Sequence, residues 1–495
     1  MPAEEESHLV QERRQKVARL RTAGREPYPW TFPHRVPIAD VLARCAGLPP
    51  GAQEEGVTVR VAGRLKAVRS HGKSSFLDIE DLSGPLQLFA RVNELGDQAY
   101  AQWLADLDPG DLVGAEGTPM VSRRGEPSLL VRDIVLLSKA LTPPPEKFHG
   151  LQDPEERLRH RHVDLLSSAE ARTRFRLRSL IVSELRRYLD QRGFLEVETP
   201  ILVPIASGAA AQPFVARSNF LDADLQLRIA EELPLKRLLV GGLERVYEVG
   251  RCFRNEDGDT THSPEFTMFE LYWAYADYLD MRELVEGLLR HLARQVRVWA
   301  PDDPTIQGAT AQFEPPFATI DFVEELERKS GISDLLSKTP EELRDLARGV
   351  GSTVPADSPA GVFLDKLFEH YVEPTLDRLT FVMDHPESTT PLAKRHRSRP
   401  GRVERFELFC KGFELGNAYT ELNDPDEQER RFQEQLAARG IDHYAYDAEF
   451  VEALRYGMPP ATGVGLGVDR IVMALLGVPS IKEVILFPQR RRRAT

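Results

Sequence analysis

Arg245-Val246-Tyr247-Glu248-Val249-Gly250-Arg251-Cys252-Phe253-Arg254-Asn255-Glu256, then a polar loop, then Pro264-Glu265-Phe266-Thr267-Met268-Phe269-Glu270-Leu271-Tyr272, has the pattern of two strands joined as a hairpin. Side chains two apart on a strand share a face. Arg254 and Glu256 then fall on one face of the first strand, and Phe266, Met268, Glu270 and Tyr272 on one face of the second. A single charge on a strand usually meets only water. Here cation, aromatic ring and carboxylate are presented together, and the joint pattern points to a site.

A second hairpin reads Arg405-Phe406-Glu407-Leu408-Phe409-Cys410-Lys411-Gly412-Phe413-Glu414, with its turn near Lys411-Gly412. This register sets Glu407 opposite Glu414, where like charges repel unless a cation lies between them. Mg²⁺ favours carboxylate oxygen together with substrate phosphate, which makes the pair a candidate metal site. Asn417, Tyr419 and Glu421 share one face of the same strand. Further on, Gly463-Val464-Gly465-Leu466-Gly467-Val468-Asp469-Arg470 runs into the apolar stretch Ile471 to Leu476, so Arg470 stands at the start of a helix. Its spacing matches neither the P-loop nor the dinucleotide fingerprint, and close strand packing accounts for such glycines equally well.

The chain has 495 residues, room for about three domain-sized units. Hydrophobic residues at 41% and charged residues at 28% are the mixture of a globular protein rather than a disordered one. The charge-free stretch Thr199 to Ala216 is broken by Pro200, Pro204 and Pro213, so no membrane span is expected. Met1-Pro2-Ala3-Glu4-Glu5-Glu6 lacks the basic and apolar regions of a secretion signal, and the expected location is cytoplasmic. Cys45, Cys252 and Cys410 are odd in number and far apart, which argues against a disulfide framework or a thiolate zinc site. The net charge of −13 means that any nucleic acid must meet a local basic patch, and Arg60, Arg64, Lys66, Arg69 and Lys73 supply one.

Glu5 to Arg21 has the spacing of an exposed amphipathic helix. Between Val57 and Leu137 short alternating runs, including Ser75 to Ile79, Leu86 to Phe89 and Leu129 to Val131, suggest a small barrel. Thr142-Pro143-Pro144-Pro145 cannot join a sheet interior and marks a boundary. Ser167 to Gln191 reads as a long helix, with strands at Arg245 to Phe253, Phe266 to Trp273, Phe406 to Phe409 and Phe413 to Thr420. Prolines from Pro301 onward open an insertion with helical patterns at Ile320 to Lys329 and Thr339 to Arg348, and Arg490 to Arg493 reads as a solvated end. The expected organisation is a helical extension over 1–50, a barrel over 51–142, a linker over 143–160, and a larger domain over 161–495 with its insertion at about 301–380.

The chain resembles the class II lysyl-tRNA synthetases from the first helix to Ile485-Leu486-Phe487-Pro488. Gly193 to Pro200 resembles motif 1, which in that class builds the dimer interface. Phe253 to Phe266 resembles motif 2, and Gly465 to Arg470 motif 3. Arg228 to Leu233, Leu235 to Leu238, Glu270 to Tyr278 and Gly416 to Asp424 carry the narrower likeness to the lysine enzymes. The resemblance implies an α+β fold, with an antiparallel catalytic sheet and helices preceded by an OB-fold barrel that binds the anticodon. It implies a homodimer that uses Mg²⁺ and ATP to convert L-lysine to lysyl-adenylate and then charges tRNA(Lys).

It also implies roles for individual residues. Arg254 bridges the α-phosphate and the substrate carboxylate; Phe266 stacks on adenine, with Arg470 on the other face and at the γ-phosphate. Glu256 accepts from the adenine amino group, His262 holds the phosphates, and Glu407 and Glu414 hold Mg²⁺. Gly208 and Glu232 meet the lysine α-amino group, Asn417 its carboxylate, Tyr419 its stem, and Glu270, Tyr272 and Glu421 its ε-ammonium. Arg64, Phe76 and Gln87 meet anticodon bases. A carboxylate-lined slot penalises any side chain without a cation, and an aspartate pocket would need the opposite charge.

The motif 2 loop, Asp257-Gly258-Asp259-Thr260-Thr261-His262-Ser263, departs from the family pattern, in which glycine often comes first, asparagine last, and arginine sometimes stands where Thr261 does. Pro234 and Gln212 stand where aromatic and basic residues are expected. Two other readings remain: a related class II enzyme that lysylates a protein, whose usual form lacks the barrel, and a catalytically silent tRNA-binding regulator, which would be expected to have lost Arg254, Arg470 or the Glu407/Glu414 pair.

Overall fold

A computed structural model describes residues 7–145, 151–209, 211–439 and 446–490; the readings on Met1 to Glu6 and on Arg491 to Arg493 lie outside them. The chain divides into two compact units, Met1–Ser168 and Ala169–Thr495. No helix among the described residues is long and apolar enough to cross a membrane.

In the first unit the amphipathic stretch forms the helix His8–Thr22. Five strands follow, β1 (Val59–His71), β2 (Ser74–Asp81), β3 (Gly84–Arg91), β4 (Leu112–Val121) and β5 (Pro127–Ser138), closed in the order β1-β2-β3-β5-β4. Alternation drives the closure: Val61, Leu65, Leu77, Ile79, Leu86 and Leu88 point inward and are buried, and closing the sheet leaves no open edge. The sequence pattern does not reveal β4, because Gly114, Gly117 and Pro119 interrupt it. Close packing explains both glycines: a Cβ on Gly117 would lie 2.1 Å from the Leu130 carbonyl oxygen, and one on Gly114 2.5 Å from the Phe32 ring. The unit continues past the proline cluster to the helices Pro154–Arg159 and Arg161–Ser167, and Lys66 Nζ donates to the Leu166 carbonyl at 3.2 Å.

The second unit holds β6 (Leu195–Glu196), β7 (Leu202–Val203), β8 (Val215–Ser218), β9 (Ala223–Leu227), β10 (Arg245–Phe253), β11 (Glu265–Ala274), β12 (Ala318–Asp321), β13 (Thr380–Met383), β14 (Arg405–Cys410), β15 (Phe413–Thr420) and β16 (Ala461–Gly467). Eight of them form one sheet in the order β12-β13-β14-β15-β16-β11-β10-β6, antiparallel except for the outermost pair at each end. Leu177, Ile181 and Leu185 of the helix Ala169–Asp190 share one core with Leu288 and Leu292 of the helix Tyr278–Trp299, and with Phe269, Leu271 and Leu466 of the sheet. Because β11 alternates, Met268, Glu270 and Tyr272 face the other way, and this opposite face carries the site. The fold is α+β, as expected.

Three local expectations are corrected. β10 ends at Phe253, so Arg254 and Glu256 lie in the following loop, where the Arg254 N–H donates to the Pro264 carbonyl at 2.9 Å. Ile320 and Asp321 belong to β12 rather than to a helix; the Asp321 side chain caps the helix Phe322–Ser330 by accepting from the Glu324 N–H, so that helix begins after it. The proline-opened segment therefore contributes the edge strand of the sheet. The turn does fall at Lys411-Gly412, with φ of 50° and 78°, but a two-residue turn there pairs Glu414 with Phe409, and a register shift between Leu408 and Phe409 then pairs Glu407 with Asn417, so Glu407 does not oppose Glu414.

Candidate active site

A cavity of about 420 Å³ opens on the polar face of the sheet, lined among others by Gly208, Glu232, Arg254, Glu270, Tyr272, Glu407, Glu414, Asn417 and Tyr419. A second cavity of about 170 Å³ adjoins it, lined by Glu256, His262, Phe266 and Arg470. Arg254, Met268, Glu414 and Gly465 line both. Glu421 lies just past the end of β15, 0% exposed, behind Gly463.

The deep end of the larger cavity is built from carboxylates. Glu270 accepts from Tyr272 Oη at 3.0 Å and from the Glu231 N–H at 2.9 Å. Tyr419 Oη donates to Glu232. Lys236, one helical turn after Glu232, sets its Nζ 2.5 Å from Glu232 Oε1 and 2.5 Å from Glu421 Oε2. Behind them Arg228 pairs with Glu231 at 3.0 Å and Glu248 at 2.6 Å. Glu231, Glu232, Glu248, Glu270 and Glu421 are thus buried with Lys236 and Arg228 as their paired cations among the described residues, so carboxylates outnumber cations here. Burial pushes Glu270 up to about 7, with the charge of Glu232 adding to it. Burial likewise pushes Glu421 up to about 8, against the opposing pull of Lys236. Such a slot favours a cation over any neutral or acidic group.

At the other end, the Arg254 guanidinium lies 5.2 Å from the centre of the Phe266 ring, and its Nε is buried without a partner. Arg470 Nη1 donates to the Glu414 carbonyl at 2.7 Å, and its Nη2 lies 3.0 Å from His262 Nε2. Arg405 ties the two ends together: Nη2 donates to Glu407 Oε1 at 2.5 Å and Nε to Asn417 Oδ1 at 2.9 Å. Burial pushes Glu407 up to about 8, with Arg405 opposing and Glu414 adding. Lys236 and Arg405 were given no role from sequence. Each had a signal: Lys236 is four residues from Glu232 on a helix, and Arg405 two residues from Glu407 on a strand.

On the barrel, Phe76 stacks on Phe89 of the neighbouring strand, with ring centres 4.8 Å apart and planes at 11°. Gln87 lies on the same outer face and accepts from Ser128 Oγ at 3.2 Å. Arg64 is turned away in part, donating to the Gly110 carbonyl at 2.7 Å. The expected basic patch is largely paired: Arg60 with Glu116 at 3.5 Å, Lys66 with Glu80 at 2.7 Å, and Arg69 with Asp78 at 2.5 Å. Phe89, not singled out from sequence, doubles the aromatic surface.

Comparison with known proteins agrees with this architecture. Residues 153–491 match the family model for tRNA synthetases class II (D, K and N), and residues 59–137 match that for an OB-fold nucleic acid binding domain. A protein of Roseiflexus castenholzii named lysine–tRNA ligase is 48% identical over 98% of this chain and 99% of its own. Proteins of the same name from Carboxydothermus hydrogenoformans and Shouchella clausii are 45% identical over 100% of both chains, and 44% identical over 98% of this chain and 97% of the relative. On these matches over nearly its whole length, the chain belongs to the class II tRNA synthetases, among the lysine–tRNA ligases.

Proposed function

We propose that the protein activates L-lysine with ATP and transfers it to tRNA(Lys). The lysine carboxylate attacks the α-phosphorus of ATP, giving lysyl-adenylate and pyrophosphate; the acyl group then passes to a hydroxyl at the tRNA 3′ end, releasing AMP. Both steps place charge on phosphate oxygens, so positioned cations supply most of the stabilisation and no protein nucleophile is needed. The observation that carries the reading is that Arg254 shares one cavity with Glu232, Glu270 and Tyr272, with Glu421 behind. Cationic groups bind at one end while a carboxylate meets a phosphate at the other.

In this reading Arg254 bridges the α-phosphate and the lysine carboxylate, and Phe266 and Arg470 hold adenine between them. Glu256 takes the adenine amino group, and His262 and Arg470 take the outer phosphates. Gly208 and Glu232 receive the α-ammonium, Asn417 the carboxylate, and Glu270, Tyr272 and Glu421 the ε-ammonium along the Tyr419 ring. Glu407 and Glu414, two carboxylates on the cavity that Arg254 lines, suit a hard cation sharing its other positions with phosphate and water. Mg²⁺ there would supply positive charge for the departing pyrophosphate.

Phe76 with Phe89 stacks anticodon bases, and Arg64 and Gln87 hydrogen-bond them. A homodimer formed through Gly193 to Pro200 is supported by exposed Leu195 in the edge strand β6 and by exposed Ile201, Leu202 and Leu243. A cytoplasmic location belongs to the same reading, supported by substrates, ATP and tRNA, that are used there.

The test is amino-acid-dependent ATP–pyrophosphate exchange with each standard amino acid and no tRNA, followed by charging of tRNA(Lys). Strong exchange with lysine alone is expected. Exchange with another amino acid, or silence with all, overturns the reading.

A further inference from the structure

Behind the carboxylate end of the cavity lies a buried lysine. Lys236 is 0% exposed, and its ammonium sits 2.5 Å from both Glu232 Oε1 and Glu421 Oε2. The rings of Tyr419 and Phe450 flank it at 5.2 and 5.8 Å. It leaves one oxygen of Glu421 untouched: Oε1 is buried without a partner and faces the space kept open by Gly463. Glu232 lines the cavity itself, with Glu421 held directly behind Gly463, which also lines it.

Charge arithmetic gives this arrangement a purpose. Glu232, Glu270 and Glu421 surround the slot, and Lys236 offsets one of them, leaving two negative charges once all three are ionised. Substrate lysine brings two ammonium groups, while its carboxylate faces Arg254 at the far end. Three unrelieved carboxylates at this depth could not all stay ionised, and a protonated one would no longer attract an ammonium. Among the described residues, the other charged or titratable groups near them include Tyr272 on β11, Tyr419 on β15, Glu248 and Cys252 on β10, Glu231 with Arg228 ahead of the helix Glu232–Val240, and Asp447 on the cavity wall.

We infer that Lys236 is a specificity-determining, positioning residue, whose tethered ammonium fixes Glu232 and Glu421 and sets the slot's charge to match a substrate with two ammonium groups. This rests on the lysine-activating reading above. Lys236 touches neither ATP nor the reacting atoms and acts through the two carboxylates.

Lys236→Met keeps the side chain's bulk and removes its charge. In pyrophosphate exchange, the KM for lysine is expected to rise about tenfold or more while the KM for ATP stays within about threefold, since only the carboxylate end is disturbed. The acid limb of kcat/KM for lysine should move to higher pH by about one unit, because the lost cation no longer favours ionised carboxylates. A packing role would leave that limb in place, and an unmoved limb overturns the proposal whatever happens to KM.

A second measurement uses the unmodified protein and decides the matter if the variant does not fold. Pentane-1,5-diamine should compete with lysine at least about tenfold better than pentylamine, which carries one ammonium. Equal competition overturns the proposal. Absence of lysine-dependent exchange in the unmodified protein would instead overturn the functional reading, and this inference with it.

Discussion

Arg470 Nη2 lies 3.0 Å from His262 Nε2, and His262 Nδ1 on the other side of the ring lies 2.9 Å from Asp259 Oδ2. A guanidinium only donates, so Nε2 accepts and the ring proton sits on Nδ1, facing the carboxylate. Burial alone would push Asp259 up, but N–H groups of Thr261 and His262 and the His262 ring hold it well below the usual range. Asp259 in the motif 2 loop thus supplies a carboxylate that orients the imidazole.

Asp259→Ala is expected to weaken ATP binding mildly. Side chains of His262 and Asp259 are 55% and 58% exposed, and solvent screens such a pair. At about 0.2–1 kcal/mol the KM for ATP should rise no more than about fivefold, with the KM for lysine unchanged. Initial rates of pyrophosphate exchange at varied ATP check this. A loss of about 100-fold would mean that Asp259 does more than orient the ring.

Phe76→Ala is expected to weaken tRNA charging and leave pyrophosphate exchange intact, because the barrel face has no part in adenylate formation. Base stacking on an aromatic ring contributes about 1–3 kcal/mol, or roughly 5- to 150-fold in the KM for tRNA. Phe89→Ala should act in the same direction, since Phe89 supports one face of Phe76 at 4.8 Å. Equal losses in charging and exchange would show that Phe76 merely holds the barrel together.

Much of this was legible in the sequence because strands with one buried face must alternate. The barrel strands β1, β2 and β3 follow that rule; β11 is buried on both faces, yet its period of two still delivers Met268, Glu270 and Tyr272 to one face as read. β4 escaped because Gly114 and Gly117 serve close packing, which leaves no periodic mark. The opposition of Glu407 and Glu414 failed because a two-residue turn at Lys411-Gly412 pairs Glu414 with Phe409, and the register shift at Leu408/Phe409 then carries Glu407 on to Asn417. Lys236 was passed over because a lysine on a helix is ordinarily solvated; only the fold shows Glu421 arriving from a distant strand to bury it.

The raised carboxylates predict how ligand stabilisation varies with pH. Glu270 at about 7 and Glu421 at about 8 retain protons in the folded protein that an unfolded chain releases near pH ~4.3. Their contribution to stability is therefore fully present below the unfolded value and is lost as pH rises through about 7 to 8. A bound ammonium favours the ionised form and offsets that loss. The rise in Tm on adding saturating lysine should be larger at about pH 8.5 than at about pH 6. Equal shifts at both would show that these carboxylates ionise without help from the ligand.

Gly463→Ala should act on lysine more than on ATP. Gly463 pairs with Tyr272 on one side and Tyr419 on the other, in the strand between them. An added Cβ would lie 2.3 Å from both Glu421 Oε1 and Tyr272 Cε1, atoms of two buried side chains. Accommodating it moves the ε-ammonium site, and misplacement on the order of 1 Å can reduce rates about 10²-fold. Lysine kcat/KM is therefore expected to fall by about that factor while the KM for ATP changes little. Gly465→Ala is the matched control, because its nearest neighbour, Glu270 Cγ, would lie at 3.7 Å, an ordinary contact. A loss with Gly463→Ala no greater than with Gly465→Ala would show that the space beside Glu421 is not where the substrate ammonium binds.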